Sequence, residues 1–429
     1  ENIHFPASME AVETARRRLI FEELLILQLG LFLLKGKNRP PSRFQLRRDY
    51  TDEFFSLLPF SPTQAQRRAV REAMADLMGG SCMNRLIQGD VGSGKTAVAA
   101  ALCYSVVKNG FQAALMAPTE ILARQHFGVL SRLLEPAGIR VALLTGSIPA
   151  ARRKTILSGM EDGTVGLTVG THALFSKDVR FCRLGLVVTD EQHRFGVAQR
   201  AALSAKGSHP HLLVMSATPI PRTLALMIYG DLDLSVLDEL PPGRREIKTY
   251  AVTSDKRGRV FSFLKKRLAE GRQCYIVCPA IEEGEGGVAS VERYAEKLRS
   301  EWLRGFPVEV LHGRMKAREK EDVMRRFSSG EIGVLVSTTV VEVGVDVPNA
   351  TVMVVENAER YGLSQLHQLR GRVGRGTHQS YCILISDVRS REALARLQIM
   401  CRTSNGFRIA DEDLRLRGPG DFFGQRQHG

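Results

Sequence analysis

Cysteines in a metal-binding pattern, long apolar runs and acidic charge are what this sequence has least of. The seven cysteines show no metal-ligand spacing, and Cys274 and Cys278 share one apolar run, so zinc is not expected and reduced core thiols of a cytosolic protein are. The longest apolar run, residues 24–34, contains Gln28 and is too short to span a bilayer, so it reads as a buried helix. No secretory leader is read ahead of it. Asp and Glu number 46 against 60 Lys and Arg, a formal charge of +14. That balance suits a polyanion such as nucleic acid, although a solubilising surface would read the same way.

What is present suffices for two or three domains with full-sized cores, since the chain has 429 residues of which 44% are apolar. It opens on Glu1 and stops at Gly429 just after a glycine- and arginine-rich stretch, so a fragment of a longer protein is expected.

The chain is organised around Gly89-Asp90-Val91-Gly92-Ser93-Gly94-Lys95-Thr96, which has the form G-x-x-x-x-G-K-T between an apolar strand and an alanine-rich helix. In that context the backbone N–H groups turn inward as a phosphate cradle, Lys95 neutralises the β and γ phosphates, and Thr96 is expected to hold Mg²⁺. The helix dipole adds to the attraction for an anion. A plain glycine turn before an ordinary helix is the competing explanation. A nucleoside triphosphate, ATP, is therefore the expected ligand. Ahead of the loop, a helix predicted over 62–78 presents Gln66, whose amide can offer a donor and an acceptor to adenine, while Phe60 could stack on the ring. A solvated helix glutamine is the alternative.

Residues 11–35 carry apolar side chains at helical spacing and read as a helical lead-in, broken at 36–42. After the loop, short apolar runs alternate with helical stretches, the pattern of a parallel sheet covered by helices. Strands are predicted at 113–116, 141–144, 166–169, 184–189 and 212–215. They end in Pro118-Thr119, Thr145-Gly146, Gly170-Thr171, Asp190-Glu191 and Ser216-Ala217-Thr218. Ligands of an open α/β sheet sit at the carboxyl ends of its strands, so the chemistry is expected along one edge. There Asp190 can reach Mg²⁺ through water, and Glu191 can position and deprotonate the attacking water. An acidic helix cap is the plainer reading of the pair.

Leu240-Pro241-Pro242-Gly243-Arg244-Arg245 interrupts the pattern, and a second alternation follows, with strands predicted at 247–252, 273–278, 308–311, 332–336, 351–355 and 380–385. This gives a lead-in at 1–50, a first α/β domain at 51–240, a second at 241–388 and a tail at 389–429. The second half has no phosphate loop. It has Gln368-Leu369-Arg370-Gly371-Arg372-Val373-Gly374-Arg375, in which two arginines three apart can share one helix face. Arg suits this role because its planar fork meets phosphate oxygens in pairs. Cradle on one lobe and guanidinium groups on the other imply ATP bound between them, with opening and closing once per nucleotide.

The stretches from Ala117 to Ala123, Asp190 to Val197, Ser216 to Thr223 and Thr338 to Pro348, with the arginine-glycine run, resemble the motifs of superfamily 2 helicases over nearly the whole chain. The similarity is strongest to the RecG family of branch-migration DNA helicases. That resemblance implies a motor that uses ATP and Mg²⁺ to move on double-stranded or branched DNA, as in fork reversal and Holliday junction migration during repair and recombination. It implies that Arg372 and Arg375 are fingers, that Asp346 lies near the ribose and that Gln368 belongs to the nucleotide site. Pro118, Thr119, Thr145, Gly146, Thr171, Ser216, Thr218, His312 and Thr338 are then expected to contact nucleic acid or couple it to ATP. The segment from Gly406 to Asp421 resembles the family's helical-hairpin translocation motif, with Arg417 and Gln427 as coupling positions. A monomeric motor, a bacterial cytoplasmic, nucleoid-associated setting and a single-stranded DNA-binding protein as partner also follow from the resemblance.

One departure is plain: nothing before Leu34 is sheet-like enough to be the family's N-terminal wedge domain, so fork specificity cannot be credited to these residues. A transcription-repair translocase shares the tail motif, but Gln192 stands where that family would carry Glu. An ATP-gated nucleic-acid clamp, and RNA as the track, complete the alternatives.

Overall fold

In the computed structural model, which describes residues 3, 5–37, 41–190, 209–217, 232–241, 244–279, 285–338 and 346–417, two parallel sheets follow one another along the chain. Ahead of them runs α1 (Met9–Lys37). The expectation of a buried helix fails here: Leu24, Leu25, Ile26, Leu29 and Leu33 are exposed, because no described element covers that face. No described helix is long and apolar enough to cross a membrane.

Next come α2 (Thr51–Leu57) and α3 (Gln64–Met78). Helix α3 begins where Thr63 Oγ1 accepts the Gln66 N–H at 3.2 Å and Gln66 Oε1 accepts the Thr63 N–H at 3.0 Å, satisfying two donors that the helix itself cannot. Ala65, Ala69, Val70, Ala73, Met74 and Leu77 recur at helical period and are buried against the first sheet.

That sheet is built from β1 (Asn84–Gly89), α4 (Lys95–Lys108), β2 (Gln112–Met116), α5 (Glu120–Leu134), β3 (Val141–Leu144), α6 (Ala150–Glu161), β4 (Leu167–Gly170), β5 (Leu184–Asp190), β6 (His211–Ser216) and β7 (Asp233–Leu237). Its order is β3-β4-β2-β5-β6-β1-β7, every pair parallel. Both faces are covered, which is why the strands read as continuous apolar runs rather than alternating ones. Ala113 and Leu115 pack toward α3, α4 and α5, while Ala114 and Met116 pack toward α6. Strand β7 had no counterpart in the sequence reading, because Asp233 and Ser235 break its apolar run. Arg85 Nη1 donates to Ser235 Oγ at 2.8 Å and so satisfies that buried hydroxyl.

The second sheet comprises β8 (Lys248–Val252), α7 (Arg257–Ala269), β9 (Gln273–Val277), α8 (Glu285–Lys297), β10 (Val308–Leu311), α9 (Ala317–Ser328), β11 (Val334–Ser337), β12 (Ala350–Val355), α10 (Leu363–Arg370) and β13 (Tyr381–Ile385). Its order is β10-β11-β9-β12-β13-β8, again parallel throughout. One face packs on α7 and α8 through Phe261, Leu264 and Val291. The other packs on α9 and α10 and on a terminal pair, α11 (Arg391–Arg402) and α12 (Gly406–Arg417), through Met324, Leu366, Met400 and Ile409. The fold is thus two tandem RecA-like α/β units followed by two helices.

Two further expectations change. Arg372 and Arg375 do not share a helix face: α10 ends at Arg370, and Gly374 takes φ +80°, which a right-handed helix cannot continue. Five of the cysteines are buried as expected, but Cys182 and Cys401 are exposed.

Candidate active site

Parallel pairing brings the cradle to one edge. Strand β6 lies between β5 and β1, with Gln88 opposite Ser216 and Asp190 opposite Met215, so Ser216, Asp190 and the glycine loop leave the sheet side by side. Gly92 and Gly94 hold φ of +78° and +84°, a region in which a Cβ is strained. A Cβ at Gly89 would lie 2.5 Å from Ser93 Oγ and 2.8 Å from Leu237 Cβ. Lys95 Nζ turns back to donate to the carbonyls of Gly89 (2.8 Å) and Asp90 (2.9 Å), a position from which it commands the inside of the loop. The Ser93 hydroxyl is buried with no hydrogen-bond partner among the described residues. Thr96 stands in the first turn of α4, half-buried. Glycines, an orphaned hydroxyl and an ammonium at the start of α4 make a container for phosphate.

Gln66 is not placed as predicted. Its amide is buried, with Oε1 capping α3 and Nε2 donating to the Ser93 carbonyl at 2.8 Å, so neither edge is offered to a base. Its described role is to tie α3 to the loop. Phe60 is exposed at the start of that helix and remains available for stacking.

Asp190 ends β5 with Oδ2 accepting from His126 Nε2 at 2.8 Å. His126 lies on α5 among Ala123, Leu130 and Leu134, all buried. No cluster of three His, Cys, Asp or Glu able to hold a metal exists among the described residues. A divalent ion would therefore take Thr96 and Asp190 from the protein and the rest of its oxygens from phosphate and water, the donor set Mg²⁺ favours. Glu191 lies outside the described residues.

The second unit meets the loop directly. On α10, His367 Nε2 stands 2.5 Å from Asp90 Oδ1, and Arg370 Nη2 is 3.0 Å from His367 Nδ1. A guanidinium can only donate, so Nδ1 accepts and the Nε2–H faces Asp90. Burial raises the Asp90 carboxyl, but His367, the Val91 N–H and Lys95 outweigh it, and its pKa lies below the ordinary value. Arg370 also donates to the carbonyls of Met400 (2.8 Å) and Thr403 (2.9 Å), where α11 gives way to α12. Gly371 abuts Val91: a Cβ there would be 2.8 Å from Val91 Cβ.

Arg375 is half-buried and paired with Asp346, whose N–H donates to Gln125 Oε1 on α5 at 3.2 Å. Burial and then the neighbouring Arg244 push its pKa down to about 10. Asp346, expected near a ribose, is in this arrangement an ion-pair partner of the finger candidate. Arg372 and Gln368 are half-buried near it in sequence, Gln368 on α10 and Arg372 in the turn that follows.

Of the residues expected to touch a track, Pro118, Gly146 and Thr171 line one open cavity of about 530 Å³ with Arg153 and His172. Thr119 Oγ1 caps α5 by accepting the Leu122 N–H, and Thr145 Oγ1 lies 3.3 Å from Ser147 Oγ, so these two hydroxyls already have local partners. Ser216 and Thr338 are buried at strand ends. His312 follows β10, with Nε2 3.7 Å from Glu292. Thr218, Gln427 and the Arg417 side chain lie outside the described residues.

Three residues of the site escaped the sequence reading. His126 had a signal, a lone histidine on an otherwise apolar helix face, whereas His367 shares its buried face with Arg370. Arg244 had none beyond its place in a proline- and glycine-rich connector.

The DEAD/DEAH box helicase family matches residues 63–227 and the helicase conserved C-terminal domain residues 256–377. An ATP-dependent DNA helicase RecG from Synechocystis sp. is 51% identical, with all of this chain aligned to 52% of that protein. The RecG of Bacillus subtilis is 49% identical, again over all of this chain and 63% of its own length. The chain thus spans between half and two-thirds of these relatives. A RecG structure bound to a three-way DNA junction matches with a TM-score of 0.84 at 44% identity, covering 98% of this chain and 56% of that one. Dbp5 of S. cerevisiae, bound to RNA and ADP BeF3, matches with a TM-score of 0.59 at 19% identity over 88% of this chain and 94% of its own, a likeness of fold alone.

Proposed function

Because the chain belongs to the RecG family of ATP-dependent DNA helicases, we propose that it forms the ATP-driven motor of a protein that moves on double-stranded or branched DNA. The observation that carries the reading is the meeting of the two units at the phosphate loop, where His367 and Gly371 of the second close on Asp90 and Val91 of the first. Likeness to the RecG structure on a three-way junction supports branched DNA as the substrate. These similarities do not favour a transcription-repair translocase.

ATP with Mg²⁺ supplies the free energy and the electrophilic phosphorus when bound. Lys95 and the loop N–H groups hold the phosphates, Thr96 and Asp190 hold the ion, Glu191 orients and deprotonates water, and Arg372 and Arg375 neutralise charge arising in the transition state. To do so Arg375 must leave Asp346. Movement of α10 that accompanies this exchange reaches the carbonyls between α11 and α12 through Arg370, so the terminal helices shift with the state of the phosphate site. The groove of Pro118, Gly146 and Thr171 faces the backbone of the track, with hydroxyls and N–H groups that read no sequence.

The test is ATP turnover by this chain with and without forked duplex DNA, using Lys95→Ala as the blank. Turnover stimulated by DNA and absent from the blank supports a motor. Turnover indifferent to every DNA form overturns it in favour of a nucleotide-gated clamp.

A further inference from the structure

Arg244 belongs to the connector between the sheets, yet it is half-buried against the phosphate loop. Its Nη1 donates to the Val91 carbonyl, and a Cβ added at Gly92 would come within 2.9 Å of its Cζ. The connector guanidinium therefore lies on the rim of the cradle, over the loop residue that bears no side chain. Its one described hydrogen-bond partner is a neutral carbonyl, and no described carboxylate forms an ion pair with it. Asp90 close by is engaged by His367, and Asp346 by Arg375.

We infer that Arg244 is a third phosphate-binding guanidinium of the nucleotide site, supplied by the connector, which exchanges the Val91 carbonyl for the terminal phosphate of a bound triphosphate. This rests on the nucleotide reading above and adds a residue to it. Two guanidinium groups near one another and partly withdrawn from water repel each other, and an anion between them removes that cost. The pKa values agree: burial, opposed by Asp90, lowers that of Arg244, and Arg244 in turn helps to depress that of Arg375. Its proximity to Arg375, the finger candidate, places it on the side of the terminal phosphate. Because Arg244 is covalently part of the connector, exchanging its partner also changes how the two units are held, so the nucleotide state is read where the hinge is.

The experiment compares wild type, R244Q and R244K for affinity toward AMP-PNP and ADP by calorimetry, with thermal melting as a check on folding. R244Q is expected to weaken AMP-PNP by about 10- to 100-fold, the usual contribution of a charge-assisted hydrogen bond, and ADP by less than about threefold. R244K, which keeps the charge but not the fork, is expected to recover part of the AMP-PNP loss at an unchanged melting temperature. Equal losses for both nucleotides would make Arg244 a strut of the loop and overturn the inference, as would tighter AMP-PNP binding by R244Q, the mark of a plug. A wild type that binds neither probe overturns the nucleotide reading itself. A wild type and R244Q that bind both probes equally well overturn only the assignment of Arg244.

Discussion

Laid strand on strand, the two sheets have one order: β3-β4-β2-β5-β6-β1 in the first corresponds to β10-β11-β9-β12-β13-β8 in the second. What differs is how each treats its anion positions. After β1 comes a glycine loop into which Lys95 turns its ammonium. After β8, its counterpart, comes a glycine-free turn in which the Ser254 N–H donates to Asp387 Oδ1 at 2.7 Å, a carboxylate supplied from just beyond the neighbouring β13. That hydrogen bond, first among the causes, lowers the Asp387 pKa. At the next position the contrast repeats. Asp190 ends β5 at the cleft, bonded to His126, whereas Glu356 after β12 is buried, 2.7 Å from Arg257 and accepting the Tyr294 hydroxyl at 2.6 Å. The same scaffold becomes a nucleotide site only where it leaves its anion positions for a ligand, and becomes a binding lobe where its own carboxylates fill them.

The strongest test of that contrast exchanges the fates of two arginines. Arg375→Ala is expected to cut ATP turnover by roughly 10³-fold or more, the range of an arginine finger, while leaving nucleotide affinity nearly intact. Arg257→Ala, which removes the internal partner of Glu356, is expected to leave turnover alone and lower the denaturant midpoint instead. Single-turnover ATP hydrolysis and urea titration of both variants separate the outcomes. Equal effects of the two on turnover would mean the second sheet is not a finished, ligand-free copy of the first.

An intermediate effect is expected at His126. The first sheet's carboxylate should depend on its partner for orientation only, so His126→Asn is expected to raise the Mg²⁺ concentration needed for half-maximal turnover by about 10-fold, within the range for supports of metal-binding groups. Mn²⁺ binding followed by electron paramagnetic resonance gives the same readout without turnover. An unchanged metal requirement with a lowered melting temperature would reduce His126 to core packing.

How much of this could be read from the residues follows from the range of the interactions. Each strand predicted from an apolar run appears within a few residues of its place, because burial on both faces leaves an unbroken signature in the sequence. Strand β7 left none, since Asp233 and Ser235 break its apolar run, and Ser235 is tolerated by a hydrogen bond from Arg85 that only the fold can supply. The shape of the loop was legible because its glycines and Lys95 lie within eight consecutive residues. Gln66 was misread for the opposite reason: its partner, the Ser93 carbonyl, is set by how α3 docks on the loop. The exposed apolar face of α1 shows the same limit, as periodicity announces a face and cannot say what covers it. His367, Arg244 and Asp346 acquire their roles only when the second unit closes on the first, an event that no local pattern encodes.

The smallest expected effect sharpens the comparison at the level of single glycines. Gly94 in the first unit and Gly330 in the second have almost the same backbone, φ +84° and +85°. Around Gly330 nothing lies within 4 Å of an added Cβ, so Gly330→Ala meets backbone strain alone and is expected to cost about 1–2 kcal/mol with no change in nucleotide affinity. Gly94→Ala meets the same strain and also drives a Cβ into the Gln66 amide, whose Cδ would be 3.3 Å away. Since that amide is the tether from α3 to Ser93, the substitution is expected to lower nucleotide affinity beyond anything its stability cost explains. Calorimetric nucleotide binding alongside thermal melting of the two variants decides it. If both lose stability and neither loses affinity, the tether contributes nothing to the cradle, and the shape of the loop rests on its glycines alone.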